Sequence, residues 1–323
     1  MRIIYQDENK HKMLREQGPE SIAICVCSSG ARESLKACLA SLVQQQLLGS
    51  YSVLILVIDN SADGDISAAF EPLSEGIKFC RESRQGIPFA RNAALREAVA
   101  LNASYIAFID DDEIAPKNWL CRLLEGLKLN DADVIVGEVG RCESLEVAVD
   151  SAAEYKANSN LNDLTAVKTA VTSNVLFKTE LVCAPLSIDF DENMVFGGSD
   201  REFFMRVALA GKKIVSAKDN VVFETWPQER REVAYLLMRW LRYGVSFNYR
   251  YSKNLNPGKA IALIWLMFFY KLLGAPIKLA VVPIRKIWDK RSLKKLIGMS
   301  VADVAYALGC IAPFFGIRLR KYY

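Results

Sequence analysis

Short apolar runs and amphipathic stretches take turns along the first two thirds of the chain. Ser21 to Cys27 is a continuous β-prone apolar run, followed by Ser28-Ser29-Gly30 and a helical pattern from Ala31 to Gln46. Tyr51 to Ile58 is a second such run and closes on Asp59-Asn60-Ser61-Ala62-Asp63-Gly64. Ile77 to Cys80 predicts a short third strand. Ile87 to Leu101 predicts a helix, with Pro88 in the first turn, where its missing N–H costs nothing. Tyr105 to Ile109 is again a buried-strand pattern. A helix near Trp119–Leu127 and a strand over Asp133–Val139 follow. This alternation predicts an α/β fold of three layers, a mostly parallel sheet flanked by helices.

The later pattern is less regular. Cys142 to Lys168 is mixed and polar, which predicts a mobile connection. Val171 to Phe177 resumes β character. Asp200 to Ala210 is helical, with Phe203, Phe204, Val207 and Ala208 on one face and Gly211 ending it. Two short strands are expected near Ile214 and Val221–Phe223, then a helix over Glu232–Tyr243 carrying Arg239, Trp240 and Arg242. Three regions result: a polar lead-in over 1–20, an α/β domain over 21–249 and a helical tail over 250–323.

Charge changes the picture of the tail. From Arg250 onward there are 14 Lys and Arg against Asp289 and Asp303, whereas the body holds 27 basic and 35 acidic residues. A basic, apolar tail on an acidic body points to an anionic surface as partner. Residues 260–283 are apolar except for Lys271 and Lys278, and Leu296 to Ile317 except for Asp303. Each stretch reaches the roughly 20 residues that span a bilayer. The connection Arg285 to Lys295 is strongly basic, and a spanning hairpin would put it on the far side, against the positive-inside tendency. The expectation is a monotopic tail lying in the cytoplasmic leaflet. A buried helical hairpin is the alternative, and it must hide Trp265, Phe268, Phe269, Phe314 and Phe315 elsewhere.

Composition excludes some chemistry. The one histidine, His11, rules out a Ser-His-Asp triad in the body and any multi-histidine metal site. The eight cysteines show no CxxC spacing, and the start has no apolar signal region, so a reducing compartment is expected. No nucleic-acid partner is expected.

The chemistry concentrates at Asp110-Asp111-Asp112-Glu113, where four acids follow a buried strand. They repel one another and call for a counter-charge. Mg²⁺ or Mn²⁺ bridging carboxylates to phosphates supplies it, and ligands of open α/β sheets bind outside the strands' carboxyl ends. An acidic helix N-cap would account for one or two of these acids, not four.

Several motifs stand in a fixed order. They are Cys27-Ser28-Ser29, Val57-Ile58-Asp59-Asn60-Ser61, Gly86-Ile87-Pro88-Phe89-Ala90-Arg91-Asn92, Phe108-Ile109-Asp110-Asp111-Asp112 and Phe196-Gly197-Gly198-Ser199-Asp200-Arg201-Glu202-Phe203. Over roughly residues 21–245 this order resembles the family-2 inverting glycosyltransferases and their GT-A fold. Within the family it is most similar to the bacterial branch that elongates lipid-linked repeat units of exopolysaccharides such as succinoglycan.

The resemblance implies a role for each residue. Asp59 accepts a hydrogen bond from the donor's uracil, with Ser28 beside it; read alone, Asp-Asn-Ser after a strand is a turn. Arg84 and Arg91 meet the donor's phosphates or base, or else pair with surface acids. The DxD acids fall on Asp110 and Asp112, with Asp112 the direct metal ligand, Asp110 on the ribose or metal shell, and Asp111 at the variable position. Asp200 is the catalytic base that takes the acceptor hydroxyl's proton. The family has Glu-Asp there, whereas this chain has Ser199-Asp200, and Ser199 may equally be read as a helix cap. Arg239-Trp240 falls where processive relatives carry Gln-x-x-Arg-Trp, but Leu236 stands at the glutamine position. Arg239 and Arg242 then close over the diphosphate, or snorkel from an amphipathic helix.

The implied activity is metal-dependent transfer from a nucleotide-diphosphate sugar, UDP-linked, to a polyprenyl-diphosphate-linked saccharide. The implied place is the cytoplasmic face of the bacterial inner membrane. Two rivals remain. A sugar nucleotidyltransferase would want a glycine-rich phosphate loop where Ser28-Ser29-Gly30 stands, and a membrane adaptor would keep the fold without turnover.

Overall fold

The computed structural model describes residues 20–317, apart from 31, 46–50, 63–65, 68–69, 71–75, 159, 227–229, 231 and 281–289. Nine strands form one sheet: β1 Ser21–Ser28, β2 Ser52–Asp59, β3 Ile77–Arg81, β4 Tyr105–Asp110, β5 Glu113–Ile114, β6 Val134–Cys142, β7 Thr165–Val167, β8 Asn174–Lys178 and β9 Ile214–Thr225. The helices are α1 Glu33–Leu42, α2 Ile87–Ala100, α3 Trp119–Leu129, α4 Leu145–Glu154, α5 Ser199–Leu209, α6 Val233–Asn254, α7 Pro257–Ala280 and α8 Lys290–Ile311.

The sheet runs β3-β2-β1-β4-β8-β6-β9-β5, with β7 also on β9. The first four strands are mutually parallel, as the βαβ alternation requires. Beyond β4 the sheet is mixed, because β8 enters antiparallel between β4 and β6. The apolar runs of β1, β2 and β4 are buried nearly throughout, as central parallel strands must be. Where the β6–β9 register shifts between Val136 and Glu138, Asn174 takes over the pairing. Its amide donates to the carbonyls of Glu138 (2.9 Å) and Asn220 (2.7 Å) and accepts from the Trp119 indole (2.8 Å).

Three expectations are corrected. The stretch 142–168 holds α4 and β7, both covered by β9, so tertiary contact supplies the order its weak pattern lacks. The two short strands near 214 and 221 are one strand, β9, bulged in the middle. The helix at Glu232–Tyr243 continues to Asn254, past the expected start of the tail.

The chain divides into two compact units. One comprises Met1–Gln85, Phe89–Asp189 and Val207–Thr225, and contains the sheet. The other comprises Gly86–Pro88, Phe190–Arg206 and Trp226–Tyr323, and is helical. In the helical unit α6 and α8 touch backbone to backbone. A Cβ on Gly309 would run into the Leu241 carbonyl and stand 3.0 Å from the Gly244 Cα, and one on Gly244 would lie 2.7 Å from the Cys310 N. The Asn248 amide closes the crossing on the Cys310 carbonyl at 2.7 Å. Gly309→Val is therefore expected to destabilise this unit by about 3 kcal/mol or more, at or above the usual overpacking cost because backbone cannot yield. Urea unfolding followed by tryptophan fluorescence checks this, and a midpoint equal to wild type would refute the close crossing.

Asp303 on α8 and Lys271 on α7, the interruptions of the two apolar stretches, pair at 2.7 Å, with Asp303 buried. Lys271 also lies 5.4 Å from the Tyr306 ring centroid. Apart from a seam through Ala260, Ile264, Met267 and Lys271, much of α7 is exposed and apolar, with Leu266 65% accessible.

Candidate active site

Parallel strands deliver their C-terminal residues to one edge of the sheet. The register pairs Arg81 with Asp59, Asp59 with Ser28, and Cys27 with Asp110. Strands two apart are about 10 Å apart, so Asp59 and Asp110 bracket a gap of nucleotide size.

At one side Asp59 is buried yet ionised in character. The Ser61 N–H donates to its Oδ1 at 2.8 Å, and Arg81 Nη1 to its Oδ2 at 2.6 Å. Burial pushes the carboxyl up, but the Ser61 and Arg81 hydrogen bonds outweigh it and hold the group below the usual range. Arg81 also reaches the Ser61 hydroxyl and carbonyl, at 2.8 and 2.7 Å. Asn60 ties the same loop to the carbonyls of Glu82 and Arg84, both at 2.8 Å.

At the other side the four acids part company. Ser28 Oγ lies 2.5 Å from Asp111 Oδ2, so Ser28 and Asp111 form one unit. Burial raises the Asp111 carboxyl, and the charge of Asp112 adds to this; Ser28 and Arg32 oppose it. Glu113 does not join a ligand-facing cluster, and the four-acid expectation is corrected on this point. Its residue belongs to β5, paired to β9, and the buried carboxyl accepts the Asp110 N–H at 2.8 Å. Burial and then the Asp110 charge push its pKa well up, so it is neutral and adds no repulsion at neutral pH.

Asp110 and Asp112 remain, both part-exposed. Two hard carboxylates are too few for a protein-only cage, and no such group of three ligands gathers among the described residues. They match a Mg²⁺ or Mn²⁺ ion that completes its shell with phosphate oxygens.

Arg84 is engaged with Glu82, through its backbone N–H (2.9 Å) and its guanidinium (3.1 Å), and lies over the Phe89 ring at 4.7 Å. Arg96 shares that carboxylate at 3.1 Å. Arg91 acts on the strand ends instead. Burial pushes the Cys27 thiol up to about 12, the Arg91 charge works against this, and Asp110 and Asp111 work with it.

In the helical unit Ser199 is buried and Asp200, part-exposed, follows it in the first turn of α5. Asp200 Oδ1 accepts the Arg201 N–H at 2.8 Å. Arg239 donates through Nε to the Tyr243 hydroxyl at 2.8 Å and lies 5.0 Å from the Trp226 ring centroid. Trp240 packs edge-on against Tyr243. Arg242 is part-buried on the same helix.

The family model for glycosyl transferase family 2 matches residues 21–181. These residues contain all the strand ends just described. The chain is a family-2 glycosyltransferase. The transferase is 27% identical over 234 residues to the succinoglycan biosynthesis protein ExoM of Rhizobium meliloti (strain 1021), covering 69% of this chain and 72% of that one. Its fold matches the mannosyltransferase PcManGT of Pyrobaculum calidifontis, solved with GDP-Man and Mn²⁺ (TM-score 0.60, 16% identity, 94% and 92% of the chains). It also matches S. aureus TarS 1-349 (0.54, 13%, 93% of each). Membership decides for an enzyme over an adaptor, and the fold is GT-A.

Sequence reasoning missed Arg81, Arg32 and the Ser28–Asp111 contact in this transferase. Arg81 carried a signal, since it ends the strand next to β2 and so must stand beside Asp59. The Arg32 contact had none, as it depends on how the chain turns after Gly30.

Proposed function

We propose that this transferase moves a sugar from a nucleotide-diphosphate sugar, UDP-linked, to a hydroxyl of a lipid-linked saccharide during surface polysaccharide synthesis. It does so with inversion, at the cytoplasmic face of the inner membrane. The observation that carries this reading is the row Arg81, Asp59, Ser28 and Asp110 across the ends of four parallel strands. ExoM supports the pathway by its printed role, and PcManGT, which holds GDP-Man and Mn²⁺, supports a nucleotide sugar with a divalent ion.

Asp59, held by Ser61 and Arg81, presents a fixed acceptor to an N–H on the edge of the base. Arg91 adds positive charge near the phosphates. Asp110 and Asp112 would hold the metal, which when bound neutralises charge on the departing diphosphate. Asp111, tied to Ser28, keeps the turn in place. Asp200 takes the proton of the acceptor hydroxyl as that oxygen bonds to the anomeric carbon. The bond to the diphosphate breaks and its electron pair leaves with the phosphate oxygen. One displacement inverts the centre, so an α-linked donor is expected to give a β-glycoside. The anomeric proton coupling of the product measures this, and a retained configuration would end the inverting mechanism.

The tail is read as monotopic. On α7, Trp265, Leu266, Phe269, Tyr270 and Leu273 are exposed, and so are Phe314 and Phe315 beyond α8. With Lys271 and Asp303 paired, their charges are internally compensated. The basic connection 285–295 lies outside the residues whose side chains the structure describes. Joint replacement of Trp265, Phe269 and Phe315 by serine is expected to lower partitioning onto anionic vesicles by about 100-fold. Full burial of one such side chain contributes about 1.5–3 kcal/mol, and each of these buries part of its surface. Co-sedimentation equal to wild type would remove this face from membrane binding.

A further inference from the structure

We propose that Arg201 and Arg250, with Arg239 and Tyr243, form a seat for the diphosphate of the prenyl-diphosphate-linked acceptor. The proposal rests on the reading that Asp200 meets the acceptor hydroxyl.

The helical unit supplies counter-charges to most of its cations. Lys253 pairs with buried Asp191 at 2.6 Å, Arg206 with buried Glu202 at 2.8 Å, and Lys271 with Asp303. Arg250 and Arg201 have no carboxylate in ion-pair contact among the described residues. Arg250 lies largely inside the unit, its guanidinium 5.8 Å from the Phe247 ring and 5.4 Å from Tyr251. Burial lowers its pKa; Tyr251 and Tyr306 oppose that, the Arg201 charge adds to it, and Asp200 opposes it. A buried cation without an anion is costly. An arginine kept in that state, with a second arginine repelling it, suits an anionic ligand.

Arg201 and Arg239 converge on one ring. Their Cζ atoms lie 5.2 and 5.6 Å from the Tyr243 centroid, and Arg239 Nε binds the Tyr243 hydroxyl. Three guanidiniums thus gather with aromatic walls and a single carboxylate, Asp200, acting on them. Planar guanidinium forks suit phosphate oxygens in pairs, so a group with two phosphates can use more than one arginine.

Two arguments favour the acceptor's diphosphate over the donor's. The donor's diphosphate already has the metal of Asp110 and Asp112 as its counter-charge. A base acts on the acceptor, so the anion at Asp200's own arginines belongs to the acceptor. The same unit also offers the apolar face of α7 to a prenyl chain. Tyr306 joins the two, as it packs on Phe247 and Trp240 and receives Lys271 of α7 over its ring.

The test measures binding of farnesyl diphosphate, inorganic pyrophosphate and UDP to the full chain in detergent micelles. Wild type is compared with Arg201→Gln, Arg250→Gln and Arg250→Lys. Arg201 is exposed, so its variant does not endanger folding, and UDP binding reports on the fold of the others. Expected are a tenfold or greater loss of farnesyl diphosphate affinity in both glutamine variants, partial recovery in Arg250→Lys, and UDP affinity within twofold of wild type. Pyrophosphate is expected to bind more weakly than farnesyl diphosphate. Unchanged farnesyl diphosphate affinity in both glutamine variants overturns the seat. An equal loss for UDP assigns the arginines to the donor and overturns the acceptor seat. A wild type that binds UDP but no farnesyl diphosphate overturns both the seat and the lipid-linked acceptor.

Discussion

Asp200→Asn is expected to lower the turnover of glycosyl transfer by about 10²–10⁴-fold, the usual contribution of a positioned general base, while donor affinity stays near that of wild type. The carboxamide has nearly the same shape and can still accept the Arg201 N–H that Asp200 now holds. It cannot take a proton at neutral pH. The chain has a single histidine, His11, outside the described residues, so no imidazole in the body can substitute. Ser199, where the family has a glutamate, adds no second charge. A base acts chiefly in the transition state, so the loss falls on kcat and kcat/KM together. The measurement is transfer from UDP-sugar to a lipid-linked acceptor, with donor binding by calorimetry beside it. Turnover within threefold of wild type would remove Asp200 from proton transfer.

Asp112→Asn is expected to reduce transfer by about 100-fold or more and to weaken Mn²⁺-dependent UDP binding, since the ion contributes several kcal/mol of charge stabilisation. Excess chelator should do the same to the unaltered enzyme. Asp111→Asn makes the comparison informative. Asp111 already has a partner in Ser28 at 2.5 Å, and its carboxyl is raised by burial rather than poised for a cation. Its substitution is expected to cost far less than that of Asp112. Full activity in chelator, or equal losses at the two aspartates, would sink the assignment of the ion to Asp110 and Asp112.

The two active-site rows differ in how readable they were. Asp59 and Asp110 were legible because each directly follows an apolar run that can only be a buried strand, and parallel strands release their last residues at one edge. The state of those residues was not. Glu113 follows Asp112 by one position, yet it is buried and neutral because β5 pairs with β9, whose partner residue Glu224 lies 111 positions away along the chain. Nothing local distinguishes it from its three neighbours. Arg84, expected at the donor, is held by Glu82 two residues away, an acid that could have been weighed from sequence and was not.

The sequence by itself determined the strand–helix alternation, the positions at which strands end, the order of the motifs and the apolar, basic character of the tail. These follow from side-chain periodicity, from backbone preferences within a few residues, and from composition. Tertiary structure alone decided that β8 enters antiparallel between β4 and β6, that Arg81 locks Asp59, and that Ser28 holds Asp111. It also decided that Lys271 and Asp303, read along the chain as flaws in two apolar segments, compensate one another. Each of these contacts joins residues at least 20 positions apart, and each forms because burial leaves a polar group no water to bind. Which partner stands opposite is set by packing of whole elements, and that information is spread over the chain rather than written beside either residue.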